Sequence, residues 1–192
     1  ISRFFNSQLA QELVSSKKQA DLLIGNNVLA HVPNLNEFIS SLKMILKSNG
    51  VITLEFPSLL ELIEKNQFDT IYHEHYSYFS YLTIEKIFNH HGLNLFDVEE
   101  LKTHGGSFRI YIQHQKNSNK YISDSISRIK LREKKYGLDK LDSYHNFSKK
   151  VEAIKYQLCQ FLTKTKKSGK SIVAYGAPAK GNTLLNYCGI GA

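Results

Sequence analysis

The sequence contains few cysteines, no tryptophan and no long apolar run. Two cysteines among 192 residues, Cys159 and Cys188, exclude a disulfide scaffold and favour a reducing, cytoplasmic location. No apolar run approaches the roughly 18 residues that a membrane-spanning helix needs, so we expect no membrane association. The first residues lack the basic start and apolar stretch of a signal peptide. The chain starts with Ile1 and ends without a tail, so we interpret it as a segment of something longer.

Acidic residues are scarce in one part of the chain. Residues 115–170 carry 15 Lys or Arg and 5 Asp or Glu, whereas the formal charge of the whole chain is +8. Such a stretch is typical either of a solvated, lysine-rich helical surface or of a site for a polyanion. Arginines are few and form no cluster, so we expect no nucleic acid partner.

A strand, a helix and a second strand follow one another in the first part of the chain. Residues 21–25 form an apolar run that predicts a strand buried on both faces. Asn34 and Glu37 resemble a capping box, which predicts a helix that Asn49-Gly50 ends. Residues 51–56 predict a second buried strand that Pro57 ends. Because a helix connects them, we expect the two strands to be parallel.

The rest of the chain divides into a hairpin, a helical region and a second strand-helix unit. We first predict a helix over 83–91 and a hairpin, whose strands over 93–98 and 108–113 are joined by the His104-Gly105-Gly106-Ser107 turn. The helical region that follows covers 117–167 and is divided at Gly137. The last unit consists of a strand over 171–175, a glycine loop over 176–181 and a helix over 182–187. The fold class is therefore α/β, with a sheet whose apolar edge is left open.

The densest group of polar side chains is Tyr72-His73-Glu74-His75. Loops beyond the carboxyl ends of parallel strands are where open α/β sheets bind ligands, and an imidazole beside a carboxylate can move a proton at neutral pH. In an extended segment, His73 and His75 would point to the same side. Asn26, Asn27 and His31 follow the first strand, at the same end of the sheet.

Two other site types fit parts of this pattern. His73, His75 and Glu74 could serve a metal-dependent hydrolase, but the metalloprotease spacing of histidines is absent, and we expect no metal. Residues 176–183 have the glycine spacing of a phosphate loop, but Asn182 occupies the position of the essential lysine. We therefore do not expect ATP hydrolysis.

Four stretches carry a resemblance to a known family. They are NNVLAHV, EFPSLLELIEKNQFDTIYHEHYSYFS, FDVEELKTHGGSFRIYIQH and VAYGAPAKGNTLLNY. In this order and spacing, they resemble the S-adenosylmethionine-dependent sugar C-methyltransferases, whose type members methylate carbon 3 of dTDP-linked 4-keto deoxysugars. The resemblance covers nearly the whole chain and is weakest in the basic region.

The resemblance implies the organisation of the chain. Residues 1–114 would be the second half of a Rossmann-like, class I methyltransferase domain. Residues 115–168 would be a basic helical connector, and residues 169–192 would begin a C-terminal α/β domain. The family's zinc module and the glycine-rich loop of its cofactor site would both lie outside this chain, so we expect the segment alone to be inactive.

The resemblance also implies a reaction and its residues. His75 would be the base that removes a proton beside the keto group of a nucleotide-linked sugar, with Tyr72 and Glu74 close by and His31 near the keto oxygen. Asn26 and Asn27 would lie beside S-adenosylmethionine. The alternative is a non-catalytic, methyltransferase-like module that binds a polyanion or a partner protein through its basic helices.

Overall fold

One mixed sheet of four strands organises the molecule in the computed structural model, which describes residues 1–117 and 120–191. The strands are β1 (Ala20–Asn26), β2 (Leu46–Pro57), β3 (Leu93–Leu101) and β4 (Ser107–His114). Their order across the sheet is β1-β2-β4-β3. β1 is parallel to β2, as the strand-helix-strand unit predicts, and β3 and β4 form the predicted antiparallel hairpin. β4 is also antiparallel to β2, a pairing that was not predicted.

Helices connect and cover these strands. Within the described residues they are α1 (Ser7–Ser15), α2 (Leu35–Ile45), α3 (Leu59–Glu64), α4 (Tyr81–His90), α5 (Asp124–Tyr136), α6 (Leu141–Lys167) and α7 (Ala179–Cys188). Short 3-10 turns lie at Leu29–His31, Phe68–Thr70, Thr103–Gly105 and Gln115–Asn117. The sequence analysis did not predict α1 or α3. No helix in these two described ranges is both long and apolar enough to cross a bilayer.

The helix between β1 and β2 begins as predicted but ends early. The Asn34 side chain accepts a hydrogen bond from the Glu37 backbone N–H, which caps α2. α2 ends at Ile45, not at Asn49-Gly50. The predicted end is wrong because Leu46 already has extended backbone angles and pairs with Ala20, so residues 46–50 belong to β2.

The first strand is less buried than its composition predicts. Leu22 is 54% exposed and Ile24 is 66% exposed, so the prediction of a strand buried on both faces is wrong for β1. Among the described strands, β1 pairs with β2 alone and lies at the edge of the sheet. The expected open apolar edge is therefore present.

The core lies against the two central strands. Ile52 and Leu54 of β2 and Ile110 and Ile112 of β4 are at most 1% exposed. Phe56 contacts the Phe79 and Phe108 rings edge-on, with centroids 5.6 and 6.3 Å away. Fully burying a side chain of this size contributes roughly 1.5–3 kcal/mol, so the rows of apolar residues on β2 and β4 hold the sheet to its helices.

The helical region divides where expected, but its last part differs from prediction. Gly137 adopts the left-handed conformation (φ 86°) and ends α5. Residues 171–175 form no strand, because no other strand of the described chain lies beside them, and Tyr175 is fully exposed. α7 begins at Ala179, three residues before the predicted start. Residues 118, 119 and 192, which belong to the predicted connector and terminal unit, lie outside the described residues.

Glu133 joins the helical region to the sheet domain. The side chain of this α5 residue is fully buried, and its carboxylate accepts hydrogen bonds from the backbone N–H groups of Tyr81 (2.7 Å) and Leu82 (2.9 Å). Tyr81 and Leu82 are the first residues of α4. The first backbone N–H groups of a helix have no partner within the helix, and the helix dipole favours a negative charge beside them. Burial raises the pKa of Glu133, although the two N–H donors oppose that shift.

Replacing Glu133 should therefore destabilise the protein. Glu133→Ala leaves two buried N–H donors unpaired, and we expect a loss of about 2–4 kcal/mol in the free energy of unfolding, measured by urea denaturation. Glu133→Gln keeps one acceptor and should lose less. Exposed Glu152→Ala of α6 is the matched control, and an equal effect of both alanine variants would contradict this assignment.

The raised pKa also predicts how the difference between wild type and Glu133→Gln changes with pH. A carboxyl group whose pKa is raised on folding stabilises the protein most below its unfolded pKa, and this contribution is lost as the pH rises through the folded pKa. The stability of wild type relative to Glu133→Gln should therefore increase as the pH falls from neutral.

Candidate active site

A backbone hydrogen bond joins the carboxyl ends of β1 and β2 at the site. Asn27, directly after β1, adopts a left-handed conformation (φ 55°), and its N–H donates to the Glu55 carbonyl of β2 at 2.7 Å. The chain then makes the Leu29–His31 turn, which carries His31 across this end of the sheet. The Ala30 carbonyl accepts a hydrogen bond from the Tyr76 N–H at 2.8 Å, so the segment after His75 is held against the same turn.

Two imidazoles face each other at this end of the sheet. The ring centroids of His31 and His75 are 4.8 Å apart. His31 Nδ1 lies 2.8 Å from the Glu74 carbonyl oxygen, and His75 Nδ1 lies 2.9 Å from the Thr70 carbonyl oxygen. A carbonyl oxygen only accepts, so each Nδ1 must carry the proton. In the neutral form of either ring, Nε2 therefore has a free lone pair.

Tyrosine rings enclose His75 on two sides. The Tyr72 ring lies 4.7 Å from the His75 ring with an interplanar angle of 34°, and the Tyr78 ring meets it edge-on at 5.7 Å. The Tyr78 hydroxyl donates to the Thr70 carbonyl at 3.3 Å, the same oxygen that orients His75. Burial raises the pKa of Tyr78, so its hydroxyl keeps its proton and this arrangement at neutral pH.

These side chains line a cavity of about 160 Å³. Its walls include Asn27, His31, Tyr72, Glu74 and His75, together with the apolar Pro57 and Leu62. The structure thus brings together residues of the first strand end and of the Tyr72–His75 cluster, although more than 40 positions separate His31 from His75 in the sequence. A polar group can reach both imidazoles from a partly apolar cavity, which is typical of small-molecule sites.

Three predicted residues have different surroundings from those expected. Residues 72–75 form a turn and not an extended segment, so His73 and His75 do not share a side, and His73 is exposed outside the cavity lining. Glu74 holds His31 through its backbone carbonyl, while its carboxylate is exposed. Asn26 pairs with Glu55 at the end of β1 and is also exposed.

The cavity also includes residues that the sequence analysis did not assign to it. Gln67, Thr70 and Tyr78 lie near the cluster in sequence, whereas His104 and Lys180 come from the hairpin turn and from α7. The glycines beside His104 and Lys180 in the sequence predict that both residues lie in turns or loops. Nothing in the sequence indicated that these two turns meet at one cavity.

A buried carboxylate connects β2 to the turn between β3 and β4 beside the site. Glu55, on β2, is 8% exposed and pairs with Arg109 Nη2 and the Thr103 hydroxyl, each at 2.8 Å. Burial by itself would raise the pKa of Glu55, but the hydrogen bonds from Thr103 and Arg109 hold it below its usual range. Glu55 therefore stays charged and ties the hairpin turn to the end of β2.

The donor set suits proton transfer. The cavity offers imidazole nitrogens, tyrosine hydroxyls and one exposed carboxylate. Within residues 1–117 and 120–191, no three His, Cys, Asp or Glu side chains are grouped so that they could hold a metal ion. His75 lines the cavity and has its Nδ1 bonded to a carbonyl, so Nε2 is the nitrogen left for exchange of a proton.

Comparison with known proteins defines the class. Residues 2–98 match the family model described as a methyltransferase domain, and residues 102–192 match the model described as the C-methyltransferase C-terminal domain. The first of these models covers half of the chain, so the chain belongs to the methyltransferases. It is 31% identical over 187 residues to the C-methyltransferase NovU of Streptomyces niveus. This match covers 97% of the chain and 44% of the relative, so the chain spans less than half of that protein's length.

Solved methyltransferase structures overlap with parts of the chain. A SAM-dependent methyltransferase from Anabaena variabilis gives a TM-score of 0.43 at 14% identity, over 57% of this chain and 55% of that chain. Magnesium protoporphyrin IX methyltransferase from Synechocystis PCC 6803, solved with bound SAH, gives 0.40 at 19% identity, over 49% of this chain and 44% of that chain.

The hydrogen bond to Thr70 predicts the tautomer of His75. Because the Thr70 carbonyl binds Nδ1, neutral His75 should carry its proton on Nδ1, the less common tautomer of free histidine. Two-bond ¹⁵N–¹H correlation spectra of ¹⁵N-histidine-labelled protein at alkaline pH report the tautomer directly. The signals of His75 can be assigned by their loss in His75→Gln, and a proton on Nε2 would contradict the geometry.

Proposed function

We propose that the protein containing this chain transfers a methyl group from S-adenosylmethionine to a carbon beside the keto group of a nucleotide-linked sugar. The observation that carries the proposal is His75, which lines the cavity and whose Nδ1 is fixed by the Thr70 carbonyl, so that Nε2 is left to accept a proton. The match of residues 102–192 to the model of a C-methyltransferase C-terminal domain supports methylation of carbon. The sugar and its nucleotide come from the family resemblance of the sequence.

Carbon methylation needs a base because a carbon bonded to hydrogen has no free electron pair. The keto group acidifies the proton on the neighbouring carbon, and His75 Nε2 takes this proton. The electrons of the broken C–H bond then pass into an enolate, whose carbon becomes the nucleophile. A positioned general base typically contributes on the order of 10²–10⁴-fold to the rate.

The keto oxygen gains negative charge in this step and needs a hydrogen-bond donor. His31 Nδ1 already donates to the Glu74 carbonyl, so His31 can donate from Nε2 only as an imidazolium. The Tyr72 hydroxyl lines the same cavity and can donate without a change of charge. We therefore propose that His31 and the Tyr72 hydroxyl donate hydrogen bonds to the keto oxygen. If His31 is an imidazolium, the nearby Glu74 carboxylate compensates its charge.

The residues at the end of β1 fit a place beside the cofactor. Asn27 is held in a left-handed conformation, and its exposed side chain lines the cavity with both imidazoles, while Asn26 is exposed directly before it. Amide side chains at this edge can bind the polar groups of S-adenosylmethionine, which supplies an electrophilic methyl group when bound. His31 and His75, which line the same cavity, would then contact the keto sugar.

The described cavity is small for two ligands, since pockets for small molecules usually enclose roughly 300–1,000 Å³. We therefore propose that this chain supplies the part of the active site in which His75 removes the proton from the substrate. The divisions at 1–114, 115–168 and 169–192 and the cytoplasmic location stay predictions, and so does the inactivity of the segment alone. Activity is best tested in the complete protein.

Removing the base should stop turnover without loss of the cofactor. We expect His75→Gln to lower kcat by about 10²–10⁴-fold, because the substrate carbon keeps its proton, while the Kd for S-adenosylmethionine changes little. Methyl transfer to nucleotide-linked 4-keto deoxysugars is measured by mass spectrometry, and cofactor binding by calorimetry. His73→Gln is the matched control, since His73 is a neighbouring histidine outside the cavity lining.

Two outcomes would count against this assignment. Full activity of His75→Gln would show that another group is the base, and Glu74 would be the next residue to replace. An equal loss in His73→Gln would show that the turn needs both rings for its structure, and the role of His75 in proton transfer would lose its support.

A further inference from the structure

His104 and Lys180 line the cavity but have no part in the proposed proton transfer. His104 lies in the turn between β3 and β4, and Lys180 lies in the first turn of α7. Both side chains are exposed. Among the described residues, neither side chain has a hydrogen bond or a close ion pair, and His104 interacts with the Glu55 carboxylate only through its charge. Both side chains are therefore available to a ligand.

The backbone holds His104 in an unfavourable conformation. Its φ of 52° and ψ of 26° are left-handed, a conformation that residues other than glycine rarely adopt. The turn keeps this conformation because the Gly105 carbonyl accepts from Lys65 Nζ (2.8 Å) and Gln67 Nε2 (3.1 Å). The exposed imidazole does not contribute to the core, so packing of this ring does not explain the strain.

Lys180 reaches the cavity because α7 lies against the segment that orients His75. The rings of Phe68 and Tyr187 are 5.2 Å apart, which seats α7 on the Phe68–Thr70 turn. Lys155 Nζ of α6 lies 5.1 Å from the centre of the Tyr187 ring and supports the same contact. Thr70 belongs to this turn, and its carbonyl binds His75. The Phe68–Thr70 turn therefore positions both α7, which carries Lys180, and the candidate base His75.

Two donor groups of the cavity suit an anion. Lys180 brings a positive charge and His104 an imidazole that can donate a hydrogen bond, whereas Glu74 is the one carboxylate among the described residues of the lining. Nδ1 of His31 and of His75 is already bonded to a carbonyl. His104 and Lys180 therefore provide the nitrogen donors that are least committed to the protein.

We propose that His104 and Lys180 bind the phosphate groups of the substrate and so place its sugar against His75. This inference rests on the proposed function and deepens it, since it assigns the anionic part of a nucleotide-linked sugar to two residues. A diphosphate offers several strong acceptor oxygens, and charge-assisted hydrogen bonds to them are about twice as strong as neutral ones.

Two variants remove the donors and preserve the fold. Lys180→Met keeps the apolar part of the side chain, and His104→Asn keeps a residue type that accepts left-handed angles. Lys170→Met is the matched control, because Lys170 is an exposed lysine that does not line the cavity. In the complete protein, we expect each cavity variant to raise the KM for the nucleotide-linked keto sugar by roughly tenfold. Neither variant should weaken binding of S-adenosylmethionine.

Titration with inorganic pyrophosphate separates this inference from the proposed function. We expect wild type and Lys170→Met to bind pyrophosphate equally, and both cavity variants to bind it at least fivefold more weakly. That result supports the anion site even if no methyl transfer is found. Failure of wild type to bind pyrophosphate, or equal binding by all four proteins, would overturn the anion site even if methyl transfer is found.

Discussion

The parallel pairing of β1 with β2 is the constraint on which the candidate site depends. It places two strand ends side by side, and the hydrogen bond from the Asn27 N–H to the Glu55 carbonyl continues the pairing one residue beyond β1. Only then does the Leu29–His31 turn lie where the Glu74 carbonyl can orient His31. A shift of this register by one residue would exchange the two faces of β1 and move His31 away from His75.

Backbone carbonyl groups position the reactive side chains. The Thr70 carbonyl binds both His75 Nδ1 and the Tyr78 hydroxyl, and the Glu74 carbonyl binds His31 Nδ1. A carbonyl cannot exchange donor and acceptor roles, so it fixes the tautomer more firmly than a hydroxyl partner would. The site therefore needs the turn itself to keep its shape, and Phe68, which is buried and contacts Tyr187, anchors that turn.

Much of the sheet could be predicted from local pattern, because strands and capped helices depend on neighbouring residues. The Asn34 cap, the Gly137 stop and the hairpin all follow from such signals. Features set by distant partners could not be predicted in the same way. The exposure of Ile24, the unpaired residues 171–175 and the early end of α2 depend on which strands lie nearby. The meeting of His104 and Lys180 at one cavity similarly depends on how α7 contacts the Phe68–Thr70 turn.

The central claim is that this site serves methyl transfer to carbon. The most direct measurement is an NMR spectrum of the product that the complete protein forms from a nucleotide-linked 4-keto deoxysugar and S-adenosylmethionine labelled with ¹³C in the methyl group. The account predicts that the label appears as a methyl group bonded to the carbon beside the keto group. A label bonded to oxygen, or a label that stays on S-adenosylmethionine across a range of such sugars, would contradict it.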